Sequence, residues 1–130
     1  MKLILIDSSV WVDYLKSNNS NIQKKFEILI DNGLVCTNEL ILAELIPALL
    51  SRKEKEIIDI LYSVQKIPLD IHWQEIITWQ YHCIKKGFNH VGLPDLIIAQ
   101  NAVQNNLSLF SLDKHFSQIV KIAGLKLYAA

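Results

Sequence analysis

A chain of 130 residues, 51% of them hydrophobic, is one domain by size and long enough to bury a core of its own. Thirteen Lys and Arg balance thirteen Asp and Glu, so no bulk positive field holds nucleic acid nonspecifically, and a phosphate-bearing substrate has to be gripped locally. The two cysteines, Cys36 and Cys83, form no CxxC or Cys/His cluster, which argues against a structural zinc site and for reduced thiols in a cytosolic core.

In chain order, residues 3–6 are a short, wholly apolar run. With no alternation to offer solvent, it reads as a strand buried on both faces in a parallel sheet. The run is too short for a signal-peptide core, and no later stretch approaches a membrane span, so a soluble, cytoplasmic protein is expected. Asp7 stops the strand at the carboxyl end of the sheet, where open α/β folds bind ligands. Ser8 or Ser9 can cap a short helix over residues 10–16. A polar break over residues 17–21 leads to a helix over residues 22–31, stopped by Asn32-Gly33. Residues 34–36 make a second strand, after which Thr37 or Asn38 can cap a helix over residues 40–50. That helix is apolar almost all round, which predicts deep packing, and Pro47 within it predicts a kink one turn after Glu44.

Residues 52–64 give an amphipathic helix. Residues 67–69 give a short strand, placed at the sheet edge by Pro68. A helix over residues 72–86 ends at Gly87. The loop 88–93 then leads to Pro94, which favours a helix start. Leu96, Ile97, Ala99, Ala102 and Val103 supply that helix with its inner face. Residues 107–110 make a fourth strand, 116–122 a last helix and 125–128 a fifth strand. Strands alternating with helices predict an α/β fold: a three-layer arrangement with a central parallel sheet of four to five strands and helices on both faces. No repeat, low-complexity tract or linker divides residues 1–130, so a single domain is expected. If the first strand is central, with strands two and three on one side and four and five on the other, Asp7 and Asp113 meet at one crevice.

Two further carboxylates belong with them. Glu44, in the middle of an apolar helix, is costly to bury as an isolated ion and calls for a metal, a cation or a lined cavity. Glu39 lies roughly 140° away around that helix, at about 100° per residue, and cannot share the role. Asp95 follows Pro94 into a first turn, beside unpaired backbone donors. Taken singly, Asp7 and Asp113 also read as turn residues, and Asp95 as dipole compensation. Together, four carboxylates in one crevice raise one another's pKa unless divalent cations neutralise them, and all-oxygen ligation points to Mg²⁺ or Mn²⁺.

Asp7-Ser8-Ser9 after a hydrophobic strand, Glu44 in its apolar helix, Asp95-Leu96-Ile97-Ile98-Ala99 opening a helix, and Ser111-Leu112-Asp113-Lys114-His115-Phe116 resemble the motifs of PIN-domain ribonucleases. Length and spacing resemble the VapC-type toxins of toxin-antitoxin pairs. The resemblance implies a PIN-like fold and a Mg²⁺- or Mn²⁺-dependent endoribonuclease that cuts RNA, is held inactive by a cognate antitoxin, and is commonly a homodimer. It maps the acidic quartet onto Asp7, Glu44, Asp95 and Asp113, and the polar supporting positions onto Ser9 and Ser111. Some members carry a further acidic residue where this chain has His115. Both serines read as hydroxyls that orient carboxylates, because no histidine is spaced to act as a base for either.

Other side chains carry weaker signals. His115, Lys85, Lys86 and Lys114 are candidates for RNA contact, each with an alternative as a solvated helix-end residue. Trp73 and Trp79 read as packing. Trp11, Tyr14 and Leu15, with the apolar residues of 40–50, read either as core or as a groove for a partner helix. Two rival functions stay open. An aspartate-nucleophile phosphatase also places an Asp after its first strand, but wants an acidic residue where Ser9 stands. A non-catalytic binding or signalling module, such as a degenerate nuclease, is the other.

Overall fold

The computed structural model describes residues 2–16 and 20–129. Five strands form one parallel sheet: β1 (Ile4–Ile6), β2 (Val35–Thr37), β3 (Gln65–Lys66), β4 (Ser108–Phe110) and β5 (Lys126–Leu127), in the order β3-β2-β1-β4-β5. The first strand is central, as expected. Ile4, Leu5 and Ile6 are all buried, and successive strand side chains point to opposite faces, so the sheet is covered on both sides. The covering helices are α1 (Ser8–Leu15), α2 (Asn21–Asp31), α3 (Glu39–Ser51), α4 (Lys55–Ser63), α5 (Trp73–Lys85), α6 (Leu93–Gln104) and α7 (His115–Ala123). This is the three-layer α/β fold that the alternation of elements predicts. None of these helices is long and apolar enough to cross a membrane.

The register of the central pair positions everything that follows. Ile6 pairs with Phe110, and the Asp7 amide donates to the Phe110 carbonyl at 2.9 Å, so the residues directly after β1 and β4 emerge side by side. Gly124 closes α7 in the left-handed conformation, φ 70°, where a side chain is disfavoured. Both cysteines are buried and free, and burial pushes the Cys36 thiol up to about 12.

Several expectations are corrected. Asp7 itself, rather than Ser8 or Ser9, is the N-cap of α1, so the helix starts two residues earlier than the apolar pattern suggests. Of the break over 17–21, residues 17–19 lie outside the described residues, and Ser20 caps α2. Asn38 caps α3, accepting from the Ile41 amide at 2.9 Å, and the helix runs through Pro47 to Ser51. It is not packed all round: Ile41, Leu42, Leu45, Ile46 and Leu49 are buried, while Ala43, Glu44, Pro47, Ala48 and Leu50 are exposed. The fourth helix begins only at Lys55, after Lys53 has turned the chain with a positive φ of 57°. The third strand is Gln65–Lys66 rather than 67–69, because Pro68 has no amide to lend a ladder. Trp79 packs as expected but Trp73 is exposed, and Val103 points outward from α6.

Candidate active site

The carboxyl ends of both central strands contribute to one polar cluster. The carboxylate of Asp7 is buried, and its Oδ2 accepts from the Ser9 hydroxyl at 2.7 Å, the Ser111 hydroxyl at 2.8 Å and, more weakly, the Ser9 amide at 3.4 Å. The serine oxygens accept in turn: Leu112 N–H donates to Ser9 Oγ at 2.9 Å, and Asp113 N–H to Ser111 Oγ at 3.0 Å. Each hydroxyl therefore spends its proton on Asp7 and receives an amide from the β4–α7 loop. A hydroxyl that donates to one group and accepts from another ties its two partners together.

The cluster continues along the same loop. Asp113 Oδ1 accepts from the His115 backbone N–H at 2.9 Å and lies 3.2 Å from His115 Nδ1. That ring nitrogen stands 4.0 Å from Asp95 Oδ2, the same oxygen that accepts from the Gly92 N–H at 3.2 Å in a capping arrangement at the head of α6. An unbroken path of contacts thus runs Ser9, Asp7, Ser111, Asp113, His115, Asp95. Three chain segments meet there because the sheet's switch point lies between β1 and β4.

Glu44 joins this group electrostatically. Although its position on α3 is exposed, its carboxyl is held above the ordinary value, first by partial loss of solvent and then by the charges of Asp7 and Asp95. The full penalty of burying it in an apolar helix does not apply, because its neighbours Ala43, Pro47 and Ala48 are exposed too, and only partial desolvation remains. The carboxyl of Asp95 is likewise raised, by desolvation foremost, with Asp113 and Asp7 adding to the shift and the Gly92 amide and His115 opposing it. Glu44 is therefore coupled to Asp7 and Asp95, and Asp95 to Asp7 and Asp113, while both serines hold Asp7 and Ser111 also accepts from the Asp113 amide.

The hydrogen bonds divide each aspartate in two. In Asp7 and Asp95 only Oδ2 is held by protein donors, and in Asp113 only Oδ1; among the described residues the second oxygen of each has no protein partner. Such carboxylates are aimed by one oxygen and available through the other. No three His, Cys, Asp or Glu side chains among the described residues stand close enough to enclose a metal ion on their own. The donor set is all-oxygen apart from His115, which suits a hard cation that takes one or two carboxylates directly and keeps several waters, as Mg²⁺ does.

Two neighbours escaped the sequence reading. His90, from the α5–α6 loop, stacks on His115 with ring centroids 5.8 Å apart and an interplanar angle of 12°. A lone loop histidine has no periodicity to announce it. The second is a buried amide chain under the site, in which Asn38 donates to Asn101 and Asn101 to the Pro68 carbonyl. Lys85, Lys86 and Lys114 are exposed, and none makes an ion pair among the described residues. A cavity of about 660 Å³, lined by Tyr14, Glu27, Lys53 and Ile57 among others, opens elsewhere and shares no residue with the cluster.

The model of the PIN domain family matches residues 4–122. Among solved structures, the fold is similar to that of DNA-bound VapBC from Salmonella typhimurium, with a TM-score of 0.75, 18% identity and 98% of each chain covered. It is also similar to VapBC2 from Rickettsia felis bound to a DNA fragment from their promoter, with a TM-score of 0.72, 18% identity and 97% of each chain covered. A third likeness is to VapBC-5 of Mycobacterium tuberculosis, a member of the VapBC family of toxin-antitoxin systems, with a TM-score of 0.65, 19% identity and 100% of each chain covered. At such identities the likeness is one of fold. Comparison with curated protein sequences finds no significant match. With the family's model spanning the chain from β1 into α7, and the strand order and acidic crevice in place, this chain belongs to the PIN domain family.

Proposed function

We propose that this PIN domain is a divalent-metal-dependent endoribonuclease, with Asp7, Glu44, Asp95 and Asp113 holding Mg²⁺ or Mn²⁺ and Ser9 and Ser111 holding the carboxylates in position. The observation that carries this reading is the division of labour within the aspartates, one oxygen anchored by the fold and the other left for a ligand. The raised carboxyls of Glu44 and Asp95 are consistent with it: partial loss of solvent is the main cause, and the neighbouring carboxylates, whose charge a cation would offset, add to it.

When bound, the cation supplies a water acidic enough to act near neutral pH and offsets charge on the scissile phosphodiester. The protein's share is orientation. Asp7 is fixed by two hydroxyls and so cannot swing to meet a cation. Asp113 is fixed by the start of α7, and Asp95 by the start of α6. His115, 3.2 Å from Asp113 and 4.0 Å from Asp95, is the side chain in this reading that would meet a phosphate or a leaving sugar oxygen at the same crevice. The alternative as an aspartate-nucleophile phosphatase is disfavoured, since Ser9 stands where a second acid is wanted.

The reading extends to the VapC type: the toxin of a toxin-antitoxin pair, inhibited by a cognate antitoxin, homodimeric and cytoplasmic. Likeness of fold to three VapBC structures over essentially the whole chain supports it. Purified protein is expected to cleave RNA with Mg²⁺ or Mn²⁺, to stop on addition of EDTA, and to lose at least 100-fold in rate on Asp7→Asn substitution, on the order seen when a metal site's ligands or supports are removed. Cleavage that survives EDTA, or an undiminished Asp7→Asn protein, overturns the nuclease reading.

A further inference from the structure

We propose that His90, stacked on His115 at the rim of the acidic crevice, is a base-stacking platform for the RNA nucleotide beside the scissile phosphate. The inference rests on the nuclease reading for the identity of the ligand and deepens it by naming what receives a base.

The loop that carries His90 is tied down on both sides of it. Phe88 N–H donates to the Cys83 carbonyl at 2.8 Å, closing the turn at Gly87, whose φ is 76°. One residue beyond His90, Val91 is buried, and its carbonyl accepts from Gln80 Nε2 at 3.3 Å. Between these anchors His90 is exposed, and among the described residues it makes no hydrogen bond or ion pair. Its recorded ring contact is with His115, whose own ring is fixed 3.2 Å from Asp113 Oδ1. An anchored loop thus presents an aromatic ring that the fold does not use. The ring lies parallel to that of a site histidine, and the residue is otherwise exposed.

Geometry decides where a base goes. Insertion between the two rings needs two contacts of about 3.5 Å each, roughly 7 Å in all, and the rings are 5.8 Å apart. The base therefore lies on the outer face of His90. Proteins that read unpaired RNA hold splayed bases on aromatic side chains, histidine included, while charge contacts hold the backbone. Here the backbone has to approach Asp113 and Asp95, one ring away, and the exposed Lys114 adjoins His115 in sequence.

The test is binding of fluorescently labelled single-stranded oligoribonucleotides, followed by anisotropy with Ca²⁺ as the cation, together with a series in which an abasic nucleotide is moved along the strand. His90→Ala is expected to weaken binding roughly five- to tenfold, the lower part of the range for loss of one stacked base. One abasic position is expected to weaken wild-type binding by a similar factor and to have no effect on the His90→Ala protein. His90→Tyr is expected to retain both behaviours, and His90→Lys, which supplies a positive charge without a ring, to behave as His90→Ala. The inference is overturned if the wild type binds no RNA, if His90→Ala binds as the wild type does, or if His90→Lys restores binding. The two readings fail separately. Mg²⁺-dependent cleavage with binding indifferent to His90 leaves the nuclease standing without the platform, whereas ring-dependent binding without cleavage leaves the platform standing without the nuclease.

Discussion

Asp7 does three jobs with one carboxylate. It ends β1, caps α1 through its contact with the Ser9 amide, and collects the hydroxyls of Ser9 and Ser111 on a single oxygen. Ser111 ties two of the site's acids together, as donor to Asp7 and acceptor from the Asp113 amide. Ser111→Ala is therefore expected to lower cleavage or cation affinity by roughly 10- to 100-fold, the usual cost of losing a group that orients a ligand. Because Ser111 is only half-buried, the cost to stability should stay near 1 kcal/mol, read from a urea midpoint. The titration of Glu44 makes a second prediction. Its folded-state pKa is raised above the ordinary 4.5, so the folded protein holds that proton more tightly than the unfolded chain does. The stability this contributes is complete below the unfolded value and is lost as pH rises through the raised one. Glu44→Gln removes that loss. In cation-free buffer the variant should show a shallower fall in melting temperature from acid toward neutral pH than the wild type, and identical profiles would contradict the raised Glu44 carboxyl.

At the scale of elements, the site depends on α3 and α6 keeping their places at the sheet's carboxyl end, and one buried amide chain links them. Asn38 caps α3 through the Ile41 amide and donates to Asn101 of α6, which in turn holds the Pro68 carbonyl beyond β3. Asn38→Ala removes the cap and leaves Asn101 with an unpaired buried oxygen. It is expected to cost about 2–4 kcal/mol in chemical denaturation, the sum of a cap and an orphaned buried group. Asn38→Asp keeps the cap but sets a buried carboxylate against Asn101 Oδ1, so it is not expected to recover the stability lost in Ala. The elements themselves were largely readable from the chain. Apolar runs too short for helices and crossovers too long for hairpins indicated a parallel sheet, and supposing its first strand central placed Asp7 and Asp113 at one crevice before any coordinates, with Ser111 added by the family resemblance. The misreadings share a cause. Periodicity records which side chains are apolar and is silent on which are covered, so the exposed face of α3, with Pro47, Ala48 and Leu50, looked like core and made Glu44 look buried. The edge strand β3 slipped by two residues because a two-residue strand is defined by its partner's backbone and has no pattern of its own. His90 went unnoticed because its significance is a parallel ring from another loop.

For the molecule as a whole, a formal charge of zero hides a strongly uneven distribution. Folding gathers four carboxylates from segments far apart in sequence, against their mutual repulsion, while the unfolded chain keeps them apart. The arrangement is thus better suited to binding a cation than to the stability of the free protein, the usual tension at a functional site. A cation that binds the folded state alone adds RT ln(1 + [L]/Kd), about 2.7 kcal/mol at a hundredfold excess over Kd, which for a domain of this size raises the melting temperature by roughly 5–10 °C. The wild type should therefore melt higher in Mn²⁺ or Mg²⁺ than in EDTA. A variant carrying both Glu44→Gln and Asp95→Asn retains an acceptor for the Gly92 amide and so preserves the head of α6. It should melt above the wild type in EDTA, because repulsion has been removed, and below it in excess Mn²⁺, because the cation's contribution has been lost. The crossing of the two curves is the diagnostic result in a thermal-shift measurement. If the variant is the less stable protein in both buffers, the acidic cluster is serving the fold rather than a cation.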